Sequence, residues 1–121
     1  MSIKPKVITD FGFNPEFLRD AKNVEYTVGN PVLDGSKFSQ DTVVKAGTAI
    51  HKNKDTGLYE LVGESTSNPV AAVLTANEVK VAKGENEEVS AIRKASVHEE
   101  RTHGVNDAFK QATQGRIVFD I

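Results

Sequence analysis

At 121 residues with a net charge of −2, the chain can bury one hydrophobic core but not two. Its 15 basic and 17 acidic residues are evenly spread, 5 and 6 in residues 1–41 against 10 and 11 in residues 42–121, so it has no cationic stripe for nucleic acid, and with no cysteine it has no disulfide, thiolate chemistry or Cys-based zinc site. The apolar residues are Val and Ile (15 and 6) far more than Leu and Met (5 and 1), a composition that favours strands because branching at Cβ restricts χ1 in a helix and packs well on a pleated surface.

In chain order, the first ten residues are charged and lack the apolar run of about 7 to 15 residues that a secretory leader needs. No later stretch approaches the roughly 20 apolar residues of a membrane span. Synthesis in a reducing cytoplasm is therefore the expectation. Residues 1–41 hold three of the four prolines and three of the nine glycines, which break the apolar pieces apart and predict an extended N-terminal arm. Within the arm, Asn14 and Pro15 predict a short helix, with Asn14 as its cap and Lys22 near its end. Val7, Ile8, Phe11, Phe13 and Phe17 also stand in this arm and include half of the six Phe residues. A segment without a core of its own either folds such side chains back on the domain or offers them to a partner, so these five are the candidate contact residues.

Residues 42–121 are more regular and predict a β-rich domain. Residues 42–50, TVVKAGTAI, read as two short strands joined at Gly47. A polar turn over 52–57 then returns the chain as a hairpin strand over 58–62. The small apolar run 70–74, VAAVL, suits a strand buried on both faces. Residues 78–82 alternate, 83–87 form a solvated turn, and 88–97 set Val89, Ala91, Arg93, Ala95 and Val97 against Ser90, Ile92, Lys94 and Ser96. The period then changes, with Val105, Ala108, Phe109 and Ala112 on one face of a short helix that Gly115 stops in the left-handed conformation. Residues 116–121 close the chain as a strand. The fold expected is mainly β with one short α-helix.

The cluster with most chemical character is His98-Glu99-Glu100-Arg101-Thr102-His103. A helical zinc site needs histidines four apart, whereas these are five apart, follow a strand pattern and precede Gly104. They read as a solvated strand end. His51 has no acid partner in its own segment. No Gly-x-Ser-x-Gly elbow occurs, and no phosphate-cradling glycine loop, while Ser36, Ser39, Ser65 and Ser67 fall in polar turns. These patterns point away from enzymatic activity and predict no catalytic residue, metal or cofactor.

From Lys45 to Ile121 the order of pieces resembles the head decoration proteins of tailed phages, the lambda-type family of small capsid-stabilising trimers. The resemblance lies in Gly47-Thr48 opening a strand, the hairpin ending Leu58-Tyr59-Glu60-Leu61-Val62, the apolar strand from Val70 to Leu74 and the long strand from Val89 to Val97. The short helix from Val105 to Gln114 and the terminal Gly115-Arg116-Ile117-Val118-Phe119 complete it. The resemblance implies a compact β-sandwich or β-tulip-like domain over 42–121 behind an arm over 1–41. It also implies a homotrimer seated on the major capsid protein at three-fold positions of the virion exterior, with neither nucleic acid nor membrane as partner and with the arm ordering on the shell. Two other expectations are a different virion part, such as a head fibre base or tail module, and a small β-barrel carrier. For the carrier, Lys80 and Lys83 lack the Met neighbours of a biotinyl lysine.

Overall fold

A computed structural model describes residues 17–120. Along them run β1 (Leu18–Tyr26), β2 (Val32–Leu33), β3 (Thr42–Val44), β4 (Ala49–Lys52), β5 (Tyr59–Leu61), β6 (Val73–Thr75), β7 (Val79–Val81), β8 (Glu87–Glu88), β9 (Ala91–His98), α1 (Asp107–Ala112) and β10 (Ile117–Asp120). Single 3-10 turns cover Gly35–Lys37 and Glu99–Arg101. The fold is mainly β with one short helix, as the excess of Val and Ile predicts.

Eight strands form one curled sheet in the order β1, β9, β6, β4, β5, β2, β8, with β10 beside β9, and β3 and β7 form a separate two-stranded ribbon. β9 is the spine of the sheet. One of its edges pairs with β1 from Leu18↔Val97 to Tyr26↔Ile92. A strand has only two hydrogen-bonding edges, so the other is shared end to end, with β6 taking Ala91 and Ile92 and β10 taking Ala95 to His98 in parallel.

Successive side chains of a strand point to opposite faces, and the three central strands bury both faces. Ala49 of β4, Leu74 of β6 and Ile92 of β9 enter one core with Phe17, Val97, Phe109 and Ile117. Their chain neighbours Ile50, Val73 and Ala91 enter a second core with Leu33, Phe38, Val44, Val81 and Val89. Helix α1 covers the first face through Phe109, and the β3–β7 ribbon covers the second through Val44 and Val81. Each large apolar side chain buried this way contributes about 1.5–3 kcal/mol, which is substantial against the 5–15 kcal/mol typical of a whole domain.

Helix α1 starts where Asn106 Oδ1 accepts from the Phe109 N–H at 2.8 Å and stops before Gly115, whose φ of +80° is the left-handed turn expected there. Phe109 meets Phe119 edge-on with ring centroids 6.3 Å apart. At the other end of the sheet, the Asp34 carboxylate accepts from the Ser36 hydroxyl at 2.6 Å and the Ser36 N–H at 3.0 Å. These bonds hold its carboxyl below the usual range.

Several sequence expectations are corrected. The helix expected from Asn14 to Lys22 is absent over 18–22, which belong to β1; pairing along β9 and burial of Phe17 and Leu18 override the local cap signal. An arm extending to residue 41 is likewise corrected, because β1, β2 and the 3-10 turn are built into the sheet, with Leu33 and Phe38 in the second core. Residues 1–16 lie outside the described residues. The strand expected over 70–74 begins at Val73 instead. Ala49 and Ile50 pair with Leu74 and Val73, but the Lys52 N–H donates to the Val70 carbonyl. Three steps on one side thus face two on the other, a β-bulge, and Ala71 absorbs it at φ +51°. The strand expected over 88–97 is divided, Glu87–Glu88 pairing with β2 and only Ala91–His98 forming β9.

Replacing Phe109 with Ala is expected to lower the unfolding free energy by about 3–5 kcal/mol, read from urea denaturation. A loss below about 1 kcal/mol would show that the first core does not depend on the helix.

Candidate interaction surface

The bend from β3 to β4 is tied by several side-chain and main-chain hydrogen bonds. Thr75, fully buried on β6, accepts at Oγ1 from the Thr48 N–H at 3.0 Å and donates from the same oxygen to the Lys45 carbonyl at 2.8 Å. The Thr48 hydroxyl donates to that carbonyl too, at 2.6 Å. Gly47 and Thr75 add main-chain bonds, the Gly47 N–H to the Thr75 carbonyl at 2.8 Å and the Thr75 N–H to the Thr48 carbonyl at 2.9 Å. Gly47 has φ +84°, and a Cβ there would lie 2.9 Å from Phe17 Cγ. Both the backbone angle and the Phe17 ring therefore require glycine.

His103 closes this corner through its main chain. Its N–H donates to the Gly47 carbonyl at 3.0 Å, and its carbonyl accepts from the Ala49 N–H at 2.8 Å, forming a parallel bridge with Thr48. Phe17 is fastened nearby, its carbonyl accepting from the His98 N–H at 2.8 Å. The point where the described chain begins is thus fixed beside the β3–β4 corner.

Above the corner runs an open groove of about 270 Å³, lined by Thr42, Val43, Val44, Lys45, Thr48, Leu61 and His103. Sites for small molecules usually enclose most of the ligand, whereas this groove is open, a shape that suits side chains of a partner segment. Val43 is 52% exposed and Leu61 39%. Among the described residues β3 has one strand partner, β7, and no strand among them pairs with its other edge. An unpaired edge flanked by apolar side chains is the arrangement to which an extended chain adds as a further strand.

A second hollow lies among Thr27, Val28, Tyr59, Ala71, Val73, Arg93 and Arg116. Its two guanidinium groups are engaged within the fold. Arg116 donates to the Arg93 carbonyl at 2.6 Å and the Ala72 carbonyl at 3.0 Å, tying the bulge at Ala71 to β9. Burial and the neighbouring Arg93 cation lower its pKa. Arg93 itself meets Glu25 at 2.6 Å. These bonds give both arginines a structural role.

Of the contact residues chosen from sequence, Val7, Ile8, Phe11 and Phe13 lie outside the described residues. Phe17 is corrected: it is 2% exposed, inside the first core, because the sheet offers it a full set of apolar neighbours beneath Gly47. It is not free to anchor a partner. His98 ends β9 and His103 follows the 3-10 turn, and among the described residues no three His, Asp or Glu side chains gather as a metal site. The sequence reading missed Val43 and Leu61. Two adjacent Val residues in a three-residue strand point to opposite faces, but nothing in TVV says that only one of those faces is covered.

Thr75→Val keeps the shape of the side chain but removes the acceptor for the buried Thr48 N–H. The expected cost is about 1–3 kcal/mol in urea denaturation, and unchanged stability would show that the hydroxyl does not hold the corner. Comparison with known proteins finds no matching family model, no matching curated protein and no matching solved structure.

Proposed function

We propose that this protein is a phage capsid decoration protein, which binds the outer surface of the expanded head as a trimer at three-fold positions and stabilises it. The observation that carries this reading is the placing of exposed apolar side chains at strand margins rather than in a closed cavity. Val43 lies on β3, which among the described residues has a strand on one edge only, with Leu61 at the end of β5, Tyr26 at the end of β1 and Val118 on β10. Neither core requires them.

On this reading the shell contact is made by Val7, Ile8, Phe11 and Phe13, upstream of the point where Phe17 is locked into the core. An extended segment gains main-chain hydrogen bonds by adding to a shell strand, and its apolar side chains fill pockets on the shell. Ordering the segment costs conformational entropy, which weakens any single contact. Three arms on one trimer offset that loss, because once the first has docked the others bind at an effective concentration in the millimolar range. A protein that binds only the assembled shell stabilises it by about 2.7 kcal/mol per site when its concentration is a hundred times Kd.

The Phe11→Ala/Phe13→Ala double variant should bind expanded heads at least tenfold more weakly, read by co-sedimentation, because truncating a buried aromatic anchor commonly costs more than 1 kcal/mol. Its unfolding midpoint should match the parent. Undiminished head binding by this variant refutes the arm contact.

A further inference from the structure

We infer that Asp34-Gly35 is a latent site of backbone modification, which forms a cyclic imide and then isoaspartate when its turn opens and which the folded turn holds shut. It is the one Asp-Gly pair in the sequence, which has no Asn-Gly. In such a pair the glycine has no side chain to shield its nitrogen, so that nitrogen can reach the carboxyl group of the residue before it. The Gly35 nitrogen gives up its proton and attacks Asp34 Cγ; the N–Cγ bond forms, and one carboxyl oxygen leaves as water. Water then adds at either imide carbonyl. Opening at Cγ restores aspartate, whereas opening at the main-chain carbonyl leaves isoaspartate, with the chain running through the side chain and the mass unchanged.

Packing imposes the pair. Gly35 is buried, and a Cβ there would fall inside the main chain of Glu85, so no side chain fits between the 3-10 turn and the turn that leads into β8. Asp34 caps the same 3-10 turn, its carboxylate accepting from Ser36. A capping carboxylate followed by an obligatory glycine is therefore a structural need, and chemical lability comes with it.

Three features keep the site closed. The attacking nitrogen is engaged, since the Gly35 N–H donates to Asn86 Oδ1 at 3.0 Å. The Asp34 ψ of 105° turns that nitrogen away from Cβ, whereas ring closure needs the two nearly eclipsed about the Cα–C bond, outside the main β and α wells. The bonds from Ser36 favour the ionised carboxyl, which lacks the proton its departing oxygen needs. Rotation is resisted further by the Asp34 N–H donating to the Tyr59 carbonyl and the Gly84 N–H donating to the Gly35 carbonyl. Leu33 and Phe38, on either side of the turn, belong to the second core. Isoaspartate lengthens the main chain by one methylene beside the point where Glu85 leaves no room, so a chain modified while open cannot rebuild the turn. Opening is thereby recorded covalently, whether or not the protein serves a capsid.

Isoaspartate at position 34 can be followed by chromatography and mass spectrometry of digested full-length protein after incubation at neutral pH and body temperature. Chain held unfolded in guanidinium chloride should accumulate it at least about tenfold faster than native protein, because in the native state the reaction waits on local opening. Asn86→Ala, at an exposed position, should speed the native reaction about two- to tenfold, the effect of one net hydrogen bond on that opening. Asn86→Asp keeps an acceptor for the Gly35 N–H and should react at the parent rate. It also guards against a folding defect in Asn86→Ala, since a rate raised equally in both variants overturns the role of the acceptor. Absence of isoaspartate in the unfolded chain, native protein reacting as fast as unfolded chain, or Asn86→Ala reacting at the parent rate overturns the proposal.

Discussion

Burial on both faces of β4, β6 and β9 is the constraint on which the remainder of this molecule depends. Adjacent residues on these strands serve different cores, Ala49 and Ile50, Val73 and Leu74, Ala91 and Ile92. A one-residue slip in any of the three would exchange the contents of the two cores. Covers are needed on both sides, and the chain provides them with different elements, the helix on one face and the β3–β7 ribbon on the other. Small residues at Ala49 and Ala91 let the central strands carry this double load without overfilling either face.

Devices that fix register sit where the alternation would otherwise fail. The bulge at Ala71 is tied down by Arg116, which reaches the Ala72 and Arg93 carbonyls together. The β3–β4 corner is held by the Thr75 hydroxyl, by Gly47 and by the main chain of His103. That corner puts β3, Val43 and Phe17, where the described chain begins, in one neighbourhood. On the proposed reading the adhesive segment is therefore tethered beside a hydrogen-bonded corner. Force on a docked arm would pass into the first core through Phe17 rather than into a loop.

Much of the architecture is legible in the residues themselves. The excess of β-branched residues, the turn at 52–57, the alternation around Val79 and Val81, and the Asn106-to-Gly115 helix all carry local signals that tertiary packing reinforces. What was not legible depends on partners distant in sequence. Leu18 to Lys22 look helical from Asn14 and Pro15, yet β9 supplies an edge that claims them. The run from Val70 to Leu74 hides a bulge, because nothing in VAAVL announces that Lys52 will pair with Val70. Phe17 looks like Phe11 and Phe13 in composition, and its burial against Gly47 comes from a contact distant in sequence. Of the surface assigned as the site, Val43 could not be inferred from buried Val44 beside it, since adjacent residues of β4, β6 and β9 are both buried. Neither could Leu61, since its exposure follows from where β5 ends.

Adhesion to an assembled shell is the central claim, and imaging tests it most directly. On the proposed reading, purified protein mixed with bare, expanded phage heads should appear by electron cryomicroscopy as added trimeric density on the outer surface at the three-fold positions. Heads that remain bare at protein concentrations well above the number of sites would contradict the account.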